Sequence, residues 1–252
     1  MSNIKEVKNF WEQHLCNEFY TKKKRGSDEY FAEIERKRYS YHYHLTDLFR
    51  YFRKYNARFK DKTMLEIGCG MGMDSIYLCR CGFKLTAIDL TEVAIKVAKE
   101  RAKKERCKIN FHLGNAEKLK FKDESFDYIW SNGVLHHTPN IQQAVNEAHR
   151  VLKTGGKAYI MLYAKYSLVN FIHQLFNIPY EMPKNMKDYC PVVYTYDRKT
   201  LKKLFKRFSK VKMHKDYPYT FGFRYLAMIT PEFLKKIIGR VIGWHYMIEV
   251  IK

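Results

Sequence analysis

The chain has 252 residues, 46% of them hydrophobic, which is enough for one sizeable core and too apolar for a wholly disordered protein. Its 47 Lys and Arg against 26 Asp and Glu give a formal net charge of +21, which either draws anions such as nucleic acid, acidic lipid or phosphorylated compounds, or reflects lysine-rich solvated helix faces. No apolar run follows the opening MSNIKEVKNF, and no stretch reaches the roughly 18 uncharged apolar residues that span a bilayer, so the expectation is a cytoplasmic protein with at most peripheral contact with an anionic membrane.

Residues 1–60 read as a helical, aromatic cap, with Tyr41, Leu45, Leu48, Phe49 and Phe52 at the three-and-four spacing of one helix face. Residues 61–164 then alternate short apolar strands, expected at 63–67, 84–89, 108–113, 126–130 and 157–163, with amphipathic helices. Thr91 stands where it would cap the helix carrying Val93, Ala94, Val97 and Ala98. Pro139-Asn140 opens the next helix, and Gly155-Gly156 is expected to stop it. This alternation predicts an α/β fold with a mostly parallel sheet covered by helices on both faces. Residues 165–197 lose the regularity and read as an insertion after the fifth strand, its tyrosines Tyr163, Tyr166, Tyr189, Tyr194 and Tyr196 being candidates for an aromatic pocket. Residues 198–252 return to helix and strand, with candidate final strands at 211–215 and 244–250 and a basic amphipathic segment at 231–242 within an apolar tract that starts at Phe221. Nine Lys and Arg without one acid lie between Arg198 and Lys215.

The six cysteines do not make a disulfide framework in a chain this long, and Cys79 and Cys81 have no second Cys/His pair at zinc spacing, so no metal site is expected. The order Cys190-Pro191 reverses the Pro-Cys pair of a cytosine-C5 methylating nucleophile.

The most informative segment is MLEIGCGMG, residues 64–72. An apolar strand ends in Glu66, and Gly68, Gly70 and Gly72 turn the chain into a helix, leaving backbone open to close approach by a ligand. The spacing is G-x-G-x-G rather than the G-x-G-x-x-G of a pyrophosphate-binding dinucleotide loop. Asp89 ends the second strand 19 positions after Gly70, where a carboxylate accepts both hydroxyls of a ribose.

Taken in order, LEIGCGMG, TAIDLTEVAIKVAKERA, FHLGNAEKLKF, FDYIWSNGVLHHTPN and EAHRVLKTGGKAYI resemble the class I S-adenosylmethionine-dependent methyltransferases, of the type found among ubiquinone- and menaquinone-biosynthesis-like small-molecule enzymes. The resemblance covers residues 63–163 and implies a Rossmann-like sheet of seven strands, the last running antiparallel. It implies S-adenosylmethionine as cofactor, with Glu66, Gly68, Cys69 and Gly70 around its methionine part, Asp89 on its ribose and Leu90 against its adenine. It adds Asn115, Ala116 and Glu117 near the adenine, with Asn115 where the family usually carries Asp, and Ser131 and Asn132 beside the methionine amino group. Arg38 and Tyr39 of the cap are carried over to the cofactor carboxylate.

A sulfonium methyl is already activated, so the reaction implied is in-line displacement by an oxygen or nitrogen of a small acceptor, anionic or carried on a lipid or glycan. His136, next to His137, is the candidate base should the acceptor have to lose a proton. Two other readings stand beside this one: an RNA methyltransferase using the cation clusters as a phosphate track, and a non-catalytic binding protein that kept the fold.

Overall fold

A computed structural model describes residues 3–181, 188–219, 226 and 229–252. The part of the insertion at 182–187, and the start of the apolar tract at 220–225 with 227–228, lie outside the described residues. The cap comprises α1 (Ile4–Gln13), α2 (Asp28–Tyr41), α3 (Tyr43–Lys54) and α4 (Asn56–Phe59). The sheet strands are β1 (Thr63–Ile67), β2 (Lys84–Asp89), β3 (Ile109–Leu113), β4 (Phe126–Asn132), β5 (Leu152–Ala164), the two-residue β6 (Thr195–Tyr196), β7 (Lys210–Asp216) and β8 (His245–Ile251). Between them run α5 (Met73–Arg80), α6 (Glu92–Lys104), α7 (Ile141–Val151), α8 (Leu168–Leu175), α9 (Arg198–Leu204) and α10 (Glu232–Ile242).

The seven-strand path runs β3-β2-β1-β4-β5-β8-β7, with β6 paired to β5 outside it. Strands β1 to β5 pair in parallel, whereas β8 inserts antiparallel between β5 and β7. Strand order reverses between β1 and β4, which opens a crevice at the carboxyl ends of the strands.

Side-chain alternation splits the core into two layers. Ile129 of β4, Ile160 and Leu162 of β5, and Ile248 and Val250 of β8 pack with α7 and with Leu201, Leu204 and Phe205. On the other face Trp130, Tyr128, Tyr159 and Met247 meet Leu45, Phe49 and Phe52 of α3, so the cap covers the sheet as an ordinary hydrophobic layer.

Three local expectations change. Thr91 makes no side-chain cap; the carboxylate of Glu12 in α1 accepts the N–H groups of Glu92 (3.0 Å) and Val93 (2.9 Å), so the cap of α6 comes from a different helix. Helix α7 stops at Val151, and Gly155 and Gly156 lie inside β5, where the chain pairs irregularly with β4. The insertion also contains a regular helix, α8, started by Ser167, whose hydroxyl accepts the Asn170 N–H at 3.1 Å.

Cap and core are further joined by Arg101 of α6, which is fully buried and bonds Glu35 of α2 at 2.6 Å while lying over the Phe31 ring. Removing one partner of a buried pair leaves the other charge uncompensated. Glu35→Ala is expected to lose about 3–5 kcal/mol in urea denaturation, with much of it recovered when Arg101→Leu is added.

Candidate active site

The crevice is organised by the glycine turn after β1. Gly68 has φ +77°, and a Cβ there would lie 2.3 Å from a methyl of Val134. The N–H groups of Gly68 and Cys69 both donate to the Ile88 carbonyl, at 2.8 and 2.9 Å, anchoring the turn to β2. Gly70 has φ +51° and nothing within 4 Å of where its Cβ would be, so this side of the turn is open to a ligand. Across it, Asp89 accepts the Gly70 N–H at 2.8 Å with one oxygen and the Thr91 N–H and hydroxyl, at 3.0 and 2.8 Å, with the other. Burial raises the Asp89 carboxyl, and the hydrogen bonds from Thr91, Gly70 and Leu90 work against that rise.

The cleft brings together Arg38, Glu66, Gly68, Cys69, Gly70, Asp89, Leu90, Asn115, Ala116 and Asn132 from the residues singled out in the sequence. Glu66 is buried and accepts from the Ser75 hydroxyl. Burial, reinforced by the charge of Asp74, pushes its carboxyl up to about 8. The Asn115 carbonyl already accepts the Glu117 N–H at 2.9 Å, with one lone pair left for a ligand.

Four other residues lie off the cleft wall. Glu117 points to α7, where its carboxylate accepts the Asn140 N–H at 2.7 Å. Ser131 alternates with Trp130 and Asn132 along β4, so its buried hydroxyl is turned to the opposite face of the sheet. Tyr39 acts through Asp74, to which its hydroxyl donates at 2.8 Å. His136 is completely buried, stacks on Tyr163 at 3.8 Å, and has no hydrogen-bond partner on either ring nitrogen among the described residues. Burial, with His137 and His245 nearby, holds it well below the usual histidine range.

His137, its neighbour, does line the cleft. Its Nδ1 lies 2.9 Å from the Val192 carbonyl, which assigns the proton to Nδ1 and leaves Nε2 as the unprotonated nitrogen. Burial lowers its pKa, so the ring is neutral at pH 7. The five tyrosines do not form one pocket: Tyr196 is buried and Tyr163 stacks on Trp244 at 4.2 Å, but Tyr166, Tyr189 and Tyr194 are exposed.

Asp74, which the sequence pattern did not single out, is the hub of the site. It accepts Arg38 Nη2 (3.1 and 3.2 Å), the Tyr39 hydroxyl, Trp130 Nε1 (3.2 Å) and Asn132 Nδ2 (2.9 Å). Burial works to raise its pKa, but the Arg38 charge and the bonds from Asn132, Tyr39 and Trp130 prevail and hold it below the usual carboxylate range. Trp11, Cys16 and Asn17, also outside the sequence reading, close the cleft from the cap side. The only sequence signal for Asp74 is an acid in the first turn after the glycines, which by itself also describes an exposed helix-dipole contact.

The reversed sheet order, the open glycine turn and the facing aspartate define a nucleotide-side cleft of the class I S-adenosylmethionine-dependent methyltransferase kind. Residues 65–160 match the methyltransferase domain family. It is 29% identical over 141 residues to a ubiquinone biosynthesis O-methyltransferase of Coxiella burnetii, a match that takes in 54% of this chain and 58% of that protein, so the chain spans little more than half of the relative. Among solved structures it is similar to a possible histamine N-methyltransferase of Thermotoga maritima, with 17% identity, a TM-score of 0.63 and 98% and 99% of the two chains covered. It is similar too to a Haemonchus contortus phosphoethanolamine N-methyltransferase bound to S-adenosylhomocysteine, with 19% identity, a TM-score of 0.56 and 77% and 49% covered. These structural likenesses are evidence of the fold.

Two outcomes follow from the buried carboxylates. Asp74→Asn removes the countercharge of buried Arg38 and is expected to lose about 3–5 kcal/mol in denaturant titration, with the cap loosened in hydrogen exchange. For Glu66, the unfolded chain releases its proton near 4.5 and the folded one near 8, so its contribution is complete below 4.5 and is lost as pH rises through 8. Thermal unfolding of the ligand-free protein should therefore show stability falling across that window, and Glu66→Gln should flatten the fall.

Proposed function

We propose that the protein methylates an oxygen or nitrogen of a small, anionic or lipid-linked acceptor. The observation that carries this reading is the Gly70–Asp89 arrangement, an open turn faced by a carboxylate in a cleft with a neutral histidine on its wall. The residues present fit S-adenosylmethionine: Asp89 would take the ribose hydroxyls, Leu90 and Ala116 the adenine, and Arg38, whose buried Nε has no partner among the described residues, the carboxylate. When bound, the cofactor supplies an activated methyl group, so the protein's part is alignment and exclusion of water. Trp11 and the apolar side chains of α1 provide that exclusion. His137 Nε2 is the nitrogen available to accept a proton from an acceptor hydroxyl or ammonium, and the Val192 carbonyl holds the ring in the required tautomer. The enclosed His136 is assigned a packing role under Tyr163.

Oxygen as the attacking atom draws support from the Coxiella burnetii relative, an O-methyltransferase of ubiquinone biosynthesis. A lipid-linked acceptor, and peripheral contact of a cytoplasmic protein with an anionic membrane, draw support from two neighbouring helices. Phe171 and Leu175 of α8, and Phe233, Ile237 and Val241 of α10, are exposed, and Lys215 donates to Tyr166 and Val241 carbonyls between them. No helix among the described residues is long and apolar enough to cross a membrane. The RNA reading has only the cation run 198–215 in its favour.

Calorimetric titration with S-adenosylmethionine and S-adenosylhomocysteine should show binding that Asp89→Ala weakens by about 10–100-fold, and binding of neither would leave the non-catalytic reading. With an acceptor in hand, His137→Ala should lower turnover by about a hundredfold while S-adenosylhomocysteine still binds, and His136→Ala should act on stability.

A further inference from the structure

A second cavity lies on the cap-side face of the sheet, between α3 and α10. It holds about 480 Å³, against about 130 Å³ by the same measure for the cofactor cleft, and falls in the range of small-ligand pockets. Its floor is Trp130, Tyr159, Met161 and Met247, an apolar and largely aromatic surface suited to a ring or short chain. Asn132 is its boundary with the cofactor cleft, touching both, with its Nδ2 on Asp74 and its buried Oδ1 without a partner among the described residues.

The charges around it are uneven. Asp47 is engaged by Lys236 at 2.6 Å and Arg50 at 3.0 Å, Glu249 by Lys157 at 3.7 Å, and Asp216 receives the Tyr217 N–H at 2.7 Å. Lys212 of β7 and Arg240 of α10 line the same space, and neither forms a salt bridge among the described residues. His214 lines the same space, and partial desolvation and the charge of Arg240 lower its pKa. Outside the mouth, Lys212 and Lys215 end the run of nine cations that begins at Arg198, a field that concentrates anions at this edge of the sheet. Two uncommitted cations over an aromatic floor match a molecule with an anionic end and an apolar body.

We propose that this cavity is a second binding site, separate from the cofactor cleft, for a small amphipathic anion: an aromatic or alkyl body carrying a phosphate, sulfonate or carboxylate. The body lies on Trp130 and Tyr159, and the anionic end faces Lys212 and Arg240. The inference does not rest on methyl transfer, because binding here needs neither cofactor nor turnover.

Phenyl phosphate is the probe, titrated calorimetrically at low salt into the full chain with and without saturating S-adenosylhomocysteine. The expected result is binding under both conditions, weakened about tenfold or more in Lys212→Ala/Arg240→Ala, with inorganic phosphate about tenfold weaker than phenyl phosphate. Both substituted positions are exposed, and an unchanged thermal unfolding temperature establishes that the variant is folded. Absence of phenyl phosphate binding, its displacement by S-adenosylhomocysteine, equal affinity in the folded variant, or inorganic phosphate binding as tightly would each overturn the proposal.

Discussion

The site depends on one buried carboxylate. Asp74 sits at the start of α5, directly after the glycine turn, and gathers a cation and three neutral donors from α2 and β4. An isolated charge at that depth is prohibitively costly, and the same carboxylate surrounded by Arg38, Tyr39, Trp130 and Asn132 is not. The cap therefore docks where its Arg-Tyr pair meets Asp74. This fixes Arg38 on the cofactor side and leaves Asn132 as a partition between the two cavities.

A second tie, at the far end of the cleft, works on a different principle. Helix α6 starts with orphan N–H groups at Glu92 and Val93, and Glu12 of α1 satisfies both. The same α1 carries Ile4, Val7 and Trp11 over the cleft. The helix that lines the cleft therefore also supplies the cap of α6.

The comparisons divide along the same line. The matched family segment, residues 65–160, contains the glycine turn, Asp89 and the histidine pair. The cap, the stretch after β5 and α10 lie outside that segment. They carry the exposed apolar side chains of α8 and α10 and the two cations at the second cavity.

The strand and helix alternation, the parallel sheet with an antiparallel last strand, and the cluster Glu66, Gly68, Gly70 and Asp89 were legible along the chain. Each is encoded within one element and its turn, by hydrophobic period, by glycine at positive φ, or by an acid at a strand end. Which of two adjacent histidines faces the cleft was not legible, because a single residue of offset in a short 3₁₀ turn exchanges a buried ring for a lining one. Nor was the cap of α6, since Thr91 is an adequate local signal and Glu12 is distant in sequence. Asp74 looks like any first-turn acid until Arg38 and Asn132 are brought to it. The fold and the residues of the glycine turn and strand ends that line the cleft can be read along the chain, because their constraints are local. The Asp74 hub, the placement of His137 on the cleft wall and the second cavity arise from tertiary packing, because each depends on groups from separate elements that are buried together.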